Sequence, residues 1–242
     1  MERRAGTKDY EADVERNLED LHGPVQRGAY RALPSRRVYI PKPDGRQRPL
    51  AVAALEDKIV QRAVTALLSA IYEEDFLGFS YGFRPWRGAH NALDALCVGI
   101  HGKKVSFMLD ADIRSFFDEI SQDWLIRFLE HRIGDRRIIR LVQKWLKAGI
   151  LEDRVVSIND RGTGQGSVIS PLLANIYLHY ALDLWAMRWR MTWERMTQLV
   201  DAWLPKPIIL HPWPSDRFAV THPRWETYAG KPPVRFCAGG AR

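Results

Sequence analysis

The stretch Leu109-Asp110-Ala111-Asp112-Ile113-Arg114-Ser115-Phe116-Phe117-Asp118 constrains this chain more than any other. The apolar run Val105-Ser106-Phe107-Met108-Leu109 predicts a short buried strand that ends in carboxylates. Asp110 and Asp112 are two apart, so on a strand both side chains leave by the same face. Carboxylates ending an apolar strand are costly to bury without positive charge nearby. A hard divalent cation, its oxygen shell completed by substrate phosphates, meets that need. Phe116 and Phe117 follow at once and would wall such a site. A plainer reading stands beside it, in which the acidic end of the strand only caps the next turn.

A chain of 242 residues, 46% of them hydrophobic, can bury a substantial core and is not wholesale disordered. Its formal charge of +7 points to a polyanionic partner without identifying one. Cys97 and Cys237 are too few for a disulfide framework, which fits a reducing compartment. The start Met1-Glu2-Arg3-Arg4 leads into charged residues without the apolar core of a signal peptide. No apolar run reaches the length of a membrane span, so a soluble, cytoplasmic protein with no membrane partner is expected.

Three regions follow from the text of the sequence. Residues 1–34 are polar and charged, with at most a short helix. Residues 35–185 alternate strand-like and helix-like signals, as an α+β domain does. Residues 186–242 hold Pro205, Pro207, Pro212, Pro214, Pro223, Pro232 and Pro233, a density that predicts an irregular tail.

Within the middle region, Arg37–Ile40 and Arg48–Val52 flank Pro43-Asp44-Gly45, which predicts a β-hairpin. Arg36, Arg37, Lys42, Arg46 and Arg48 crowd that hairpin with cations. They either discourage edge-to-edge aggregation or grip phosphates, and both readings stand. Ile59, Val60, Ala63, Val64, Leu67, Leu68 and Ile71 predict a helix over about 56–75. Ser121, Asp135 and Ser170, the last followed by Pro171, are candidate caps of three further helices. Ser80-Tyr81-Gly82-Phe83-Arg84-Pro85 interleaves aromatics with Gly and Arg, which suits a loop beside nucleic acid. Gly162-Thr163-Gly164-Gln165-Gly166-Ser167 permits close approach of a ligand to backbone and runs into a helix N-terminus. It is not a nucleotide-binding P-loop, since no Gly-Lys-Ser/Thr follows.

These four segments stand in the order seen in group II intron-encoded reverse transcriptases, which are also maturases. The chain resembles that family from about Tyr30 to Trp185. The resemblance implies an α+β fold, a partial fingers and palm of the right-hand polymerase type followed by the Pro-rich tail. It implies RNA-directed DNA synthesis with two Mg²⁺ ions, acting on an RNA template or intron RNA, a DNA primer and dNTPs. Asp112 then resembles the first catalytic carboxylate, binding Mg²⁺ together with the carbonyl of Ile113. Phe117 resembles the gate that excludes ribonucleotides, and Lys42 and Arg48 the cations that hold the incoming triphosphate. Gln165 resembles the glutamine beside the nascent base pair. Arg36, Arg37, Arg46 and Arg84 are then candidate nucleic-acid contacts.

The chain departs from the family at one decisive place. The resemblance calls for a Tyr-Ala-Asp-Asp hairpin after the Gln loop, yet no two aspartates are adjacent anywhere in the sequence. Gly164 also stands where the family has proline, and Ser167 where it usually has glycine. The segments around Trp193, His211–Pro214 and Pro233–Gly240 resemble the extreme C-terminus of long members. An internal deletion with its junction near Ala186–Arg190 is therefore expected, removing half the palm and the thumb. The expected consequences are a catalytically defective enzyme, or a non-catalytic RNA-binding maturase remnant, or a non-functional fragment. A strand edge left open by the deletion is expected to drive self-association. His211, His222 and Cys237 match no zinc spacing.

Overall fold

The computed structural model describes residues 10–41, 43, 45–102, 105, 108–164 and 166–192, together with the backbone of 234–238. Lys42, Gln165 and the proline-dense stretch up to 233 lie outside the described residues. Helix α1 (Val14–Gln26) falls in the polar N-terminal segment. The expected hairpin forms as β1 (Ser35–Pro41) and β2 (Gln47–Val52), antiparallel, with Arg36 opposite Val52 and Pro41 opposite Gln47. Helix α2 (Leu55–Tyr72) follows, then α3 (Ala89–Gly102), strand β3 (Leu109–Ile113) and one turn of helix, α4 (Phe116–Glu119). Next come α5 (Gln122–Arg132), α6 (Arg136–Lys147), β4 (Ile150–Glu152), β5 (Val155–Ser157), α7 (Ser170–Leu178) and, far along the chain, β6 (Val234–Ala238).

Four strands form one sheet in the order β2-β1-β4-β5, in which β4 runs parallel to β1 and β5 antiparallel to β4. The core lies among the helices. On α2, Val60, Val64, Leu68 and Tyr72 recur every fourth residue and are all buried, as a helix packing one stripe requires. They meet Leu125 and Leu129 of α5, Ile139, Leu141 and Val142 of α6, and Leu173, Ile176 and Tyr177 of α7 in one cluster. The caps read from sequence are present on two helices. Ser121 Oγ accepts from the Trp124 amide at 3.4 Å, and Asp135 Oδ1 from the Arg137 amide at 2.8 Å. Arg137 also folds back on Asp135, and this side-chain hydrogen bond holds the Asp135 carboxyl below its ordinary pKa.

The N-terminal segment is tied to this core by a small polar network. The Tyr30 hydroxyl donates to Asp57, Trp145 Nε1 donates to the Tyr30 hydroxyl at 3.1 Å, and the Leu33 amide donates to Asp57 at 3.2 Å. Lys144 Nζ closes it by donating to the carbonyls of Gly28 and Tyr30. Burial, reinforced by the Asp57 carboxylate, pushes the Tyr30 hydroxyl far above the usual tyrosine range.

Three expectations are corrected. The strand is not the apolar run that ends in carboxylates: β3 starts at Leu109 and carries Asp110 and Asp112 inside it, while Val105 and Met108 are exposed. Asp110, Ala111 and Asp112 are exposed, so burial of apolar side chains does not set these strand positions. Ser170 does not cap α7. It is the first helical residue, and its hydroxyl donates to the Gly164 carbonyl at 2.9 Å, leaving the cap position to Ile169. Nor is β3 left wholly unpaired, because β6, from the expected irregular tail, lies antiparallel along one edge. That pairing sets Asp110 opposite Cys237 and Asp112 opposite Arg235.

The register is directly testable. In a Cys97→Ser background, Asp110→Cys should form a disulfide with Cys237 on mild oxidation, because directly opposed residues approach within disulfide reach. Intact mass before and after reduction reads the bond. Ala111→Cys, one residue out of register and facing the other way, should not form it, and equal yields from both would refute the pairing.

Candidate nucleic-acid interface

The glycine-rich segment acts as a strap. The Gly162 amide donates to the Ile120 carbonyl at 2.7 Å, and the Thr163 amide to the Phe117 carbonyl at 2.8 Å. Gln122 Nε2 donates to the Gly162 carbonyl at 3.0 Å from α5. Gly162 has φ +83°, and a Cβ there would sit 2.9 Å from the carbonyl oxygens of Phe117 and Asp118. Only glycine takes that backbone at that distance. Further along, a Cβ on Gly164 would meet Ala51 at 3.4 Å, and Gly166 lies against Ala51 and Leu50. Gln61 of α2 is buried, and its Oε1 accepts from Ser167 Oγ at 2.9 Å and from the Val168 amide at 3.1 Å. The strap therefore bridges β2 of the hairpin to the backbone of Phe117.

The cations of the hairpin separate by strand alternation. Cross-strand register sets Arg48 opposite Ile40, so Arg48 and Arg36 share one face of the hairpin and Arg37 takes the other. Arg36, Arg46 and Arg48 are exposed. Arg37 is turned inward to Glu152 of β4 at 3.6 Å, and the Tyr39 hydroxyl, on the same face, donates to the same carboxylate. A cation held by a neighbouring acid is a weaker candidate for phosphate than one facing solvent.

Arg84 is corrected more strongly. It is buried, and its guanidinium is consumed by Glu73 (2.9–3.2 Å) and by the carbonyls of Leu77 and Ser80, both at 2.8 Å. It also lies over the Phe76 ring at 5.2 Å. It anchors a loop, and its guanidinium is engaged inside the protein and not displayed on the surface. Nearby, a π-helical turn at His179–Asp183 follows α7 and buries two titratable groups. Desolvation pushes the Asp183 carboxyl up and the His179 imidazole down.

Asp110 and Asp112 are both exposed on β3. Ser115, which follows, takes a left-handed backbone (φ +51°) and turns the chain into α4, where Phe117 is half-buried with its ring edge-on to Phe116 at 5.8 Å. Among the described residues no group of three or more His, Cys, Asp or Glu is placed to hold a metal ion. Two solvent-facing carboxylates and one main-chain carbonyl do not fit a two-ion centre, which needs more oxygen ligands than these residues supply.

The family model for reverse transcriptase (RNA-dependent DNA polymerase) matches residues 40–200, from the end of β1 through β2, β3, the strap and α7. The chain belongs to the reverse transcriptase family. Its relatives place it with the group II intron proteins and maturases. It is 37% identical to the group II intron-encoded protein LtrA of Lactococcus lactis subsp. cremoris over 182 residues, 75% of this chain and 30% of that protein. It is 42% identical over 146 residues to an uncharacterized 91 kDa protein in the cob intron of Schizosaccharomyces pombe, 60% of this chain and 18% of that one. Protein YkfC of Escherichia coli K12 is 35% identical over 214 residues, 80% of this chain and 55% of that protein. The chain thus spans about half, or less, of the curated relatives it matches.

Sequence reading missed Gln61 and Gln122, which fix the strap at both ends. The available signal was a glutamine inside the apolar stripe of α2, a position where an amide is costly unless fully bonded. Replacing Gly162 by alanine should destabilise the protein by roughly 1–3 kcal/mol through left-handed strain alone, and further through the carbonyl clash. A Gly78→Ala control, with open space at the added methyl, should not. Equal urea midpoints for the two variants would remove the strap from this role.

Proposed function

We propose that this chain is a reverse transcriptase-type, RNA-binding remnant that holds intron or template RNA through its fingers and does not extend a primer alone. One observation carries the second half of the reading: β3 presents two exposed carboxylates, and no adjacent aspartate pair exists in the sequence to complete the metal site. Mg²⁺ would supply the charge neutralisation of phosphoryl transfer in an intact site, with Asp112 and the Ile113 carbonyl as its ligands. Without further ligands the electrostatic stabilisation that dominates such catalysis is lost.

The first half rests on the exposed cations Arg36, Arg46 and Arg48, on the +7 charge and on the family. The strap lies against β2 and bonds the Phe117 carbonyl, which supports a nucleotide-binding role for Phe117 and Arg48, and Lys42 and Gln165 belong to the same reading by family resemblance. The division into 1–34, 35–185 and 186–242, with an internal deletion after Trp185, belongs to the same reading, as does a cytoplasmic location. No helix of the described residues is long and apolar enough to cross a membrane. Exposed Leu93, Leu96 and Val98 on α3, a helix with no buried residue, would favour self-association.

Affinity for structured RNA should fall steeply with salt, and Lys42, Arg46 and Arg48 changed together to alanine should weaken binding and flatten the salt slope. Unchanged binding by the triple variant would remove the hairpin as the site. Purified protein with RNA template, DNA primer, dNTPs and Mg²⁺ should give no extension. Extension that vanishes in Asp112→Ala would overturn the catalytic half of the proposal.

A further inference from the structure

The loop between α2 and α3 combines two features that cost stability and one that fixes it in place. Trp86 is 100% exposed and Phe83 70% exposed. Both stand in the left-handed region, at φ +60° and φ +53°, where side-chain-bearing residues are strained. Neither feature follows from looseness, because the loop is held at nearly every other residue. Arg84, between the two rings, is buried and fully bonded to Glu73, Leu77 and Ser80. Asn175 of α7 donates to the Gly82 carbonyl at 2.6 Å. Arg87 donates to the Gly78 carbonyl at 2.7 Å and lies 5.5 Å over the Tyr81 ring. The Gly88 amide donates to Asn91 Oδ1 at 2.8 Å, closing the loop onto α3. The rings are thus displayed by a rigid support, and strained, exposed aromatics on such a support point to a ligand.

We propose that Phe83 and Trp86 form a stacking platform for unpaired bases of single-stranded RNA, with Arg87 beside them for the backbone. This rests on the RNA-binding reading above and adds a site to it. Base stacking needs an open aromatic face and nearby positive charge, and is indifferent to sequence. The loop meets both needs: its three acids, Glu73, Glu74 and Asp75, stand together at its start, where Arg84 pairs with Glu73 and Arg132 with Asp75, while Arg87, one residue from Trp86, remains partly exposed. A folded protein partner would also cover apolar rings, but the +7 charge of the chain and the Arg87 guanidinium on the same loop favour a polyanion.

Stacking and phosphate contact differ in salt dependence, which gives the test. Binding of full-length protein to a fluorescein-labelled oligouridine and to a blunt RNA duplex would be followed by anisotropy across a salt series. Phe83→Ala and Trp86→Ala should each weaken oligouridine binding roughly tenfold with the salt slope unchanged, and leave duplex binding as in the parent. Trp86→Phe, which keeps a ring, should restore most of the loss. Because Trp86 touches nothing in the core, its loss should leave the thermal transition in place. If the parent binds both RNAs and the alanine variants match it, the platform is refuted and the RNA reading survives. If the parent binds neither RNA, both fail together. If the variants abolish self-association and leave RNA binding intact, the rings belong to a protein interface and the proposal is overturned.

Discussion

One oxygen ties the glycine strap to the helical core. Gln61 Oε1, buried on α2, accepts from both the Ser167 hydroxyl and the Val168 amide of the glycine strap. Through that side chain the fingers helix, the strap and the start of α7 become one unit. An amide buried in an apolar stripe is costly when unpaired, so the strap cannot leave without exposing that cost. The glycines then allow the strap to reach the Phe117 and Ile120 carbonyls on one side and Ala51 on the other. Hairpin, strap and aromatic turn converge because backbone hydrogen bonds and missing Cβ atoms permit it.

What the sequence made legible is what short-range chemistry decides. The hairpin announced itself through Pro43-Asp44-Gly45, and two helices through Ser121 and Asp135, whose side chains bond their own first turns. The failures are long-range. Arg84 reads like any basic loop residue until Glu73, eleven residues back, is seen to take its guanidinium. Ser170 looks like a cap until the strap supplies the Gly164 carbonyl as its acceptor. Strand β3 is placed by its partner β6, more than a hundred residues away, and no local pattern encodes that. Helix α3 carries Leu93, Leu96 and Val98 on a helix without a buried residue, so its apolar residues mark no core.

The candidate site divides in the same way. Family resemblance placed Asp112, Phe117, Arg48 and Gln165 in roles, and the fold ties the backbone of Phe117 to the strap that lies against β2, the strand of Arg48. The first of the four is different in kind. Asp112 sits on a strand whose cross-strand neighbour is Arg235, a cation at the register position opposite the carboxylate. The main-chain ladder to β6 holds the strand in place and needs no metal to do so. The acidic strand can therefore persist for reasons of sheet pairing alone.

The position of the core explains why such a separation is tolerable. Every residue of the main hydrophobic cluster comes from the N-terminal segment, α2 with the turn that follows it, the stretch from Phe116 through α6, or Ile169 and α7 with its π-helical turn. Among the described residues none comes from α3 or β3. Burial of apolar surface is the dominant favourable term in folding, so stability resides in the helical base of the fingers and not in the acidic strand. The glycine strap and the aromatic loop are fastened to that base, through Gln61 of α2 and Asn175 of α7, whereas the acidic strand is fastened to β6.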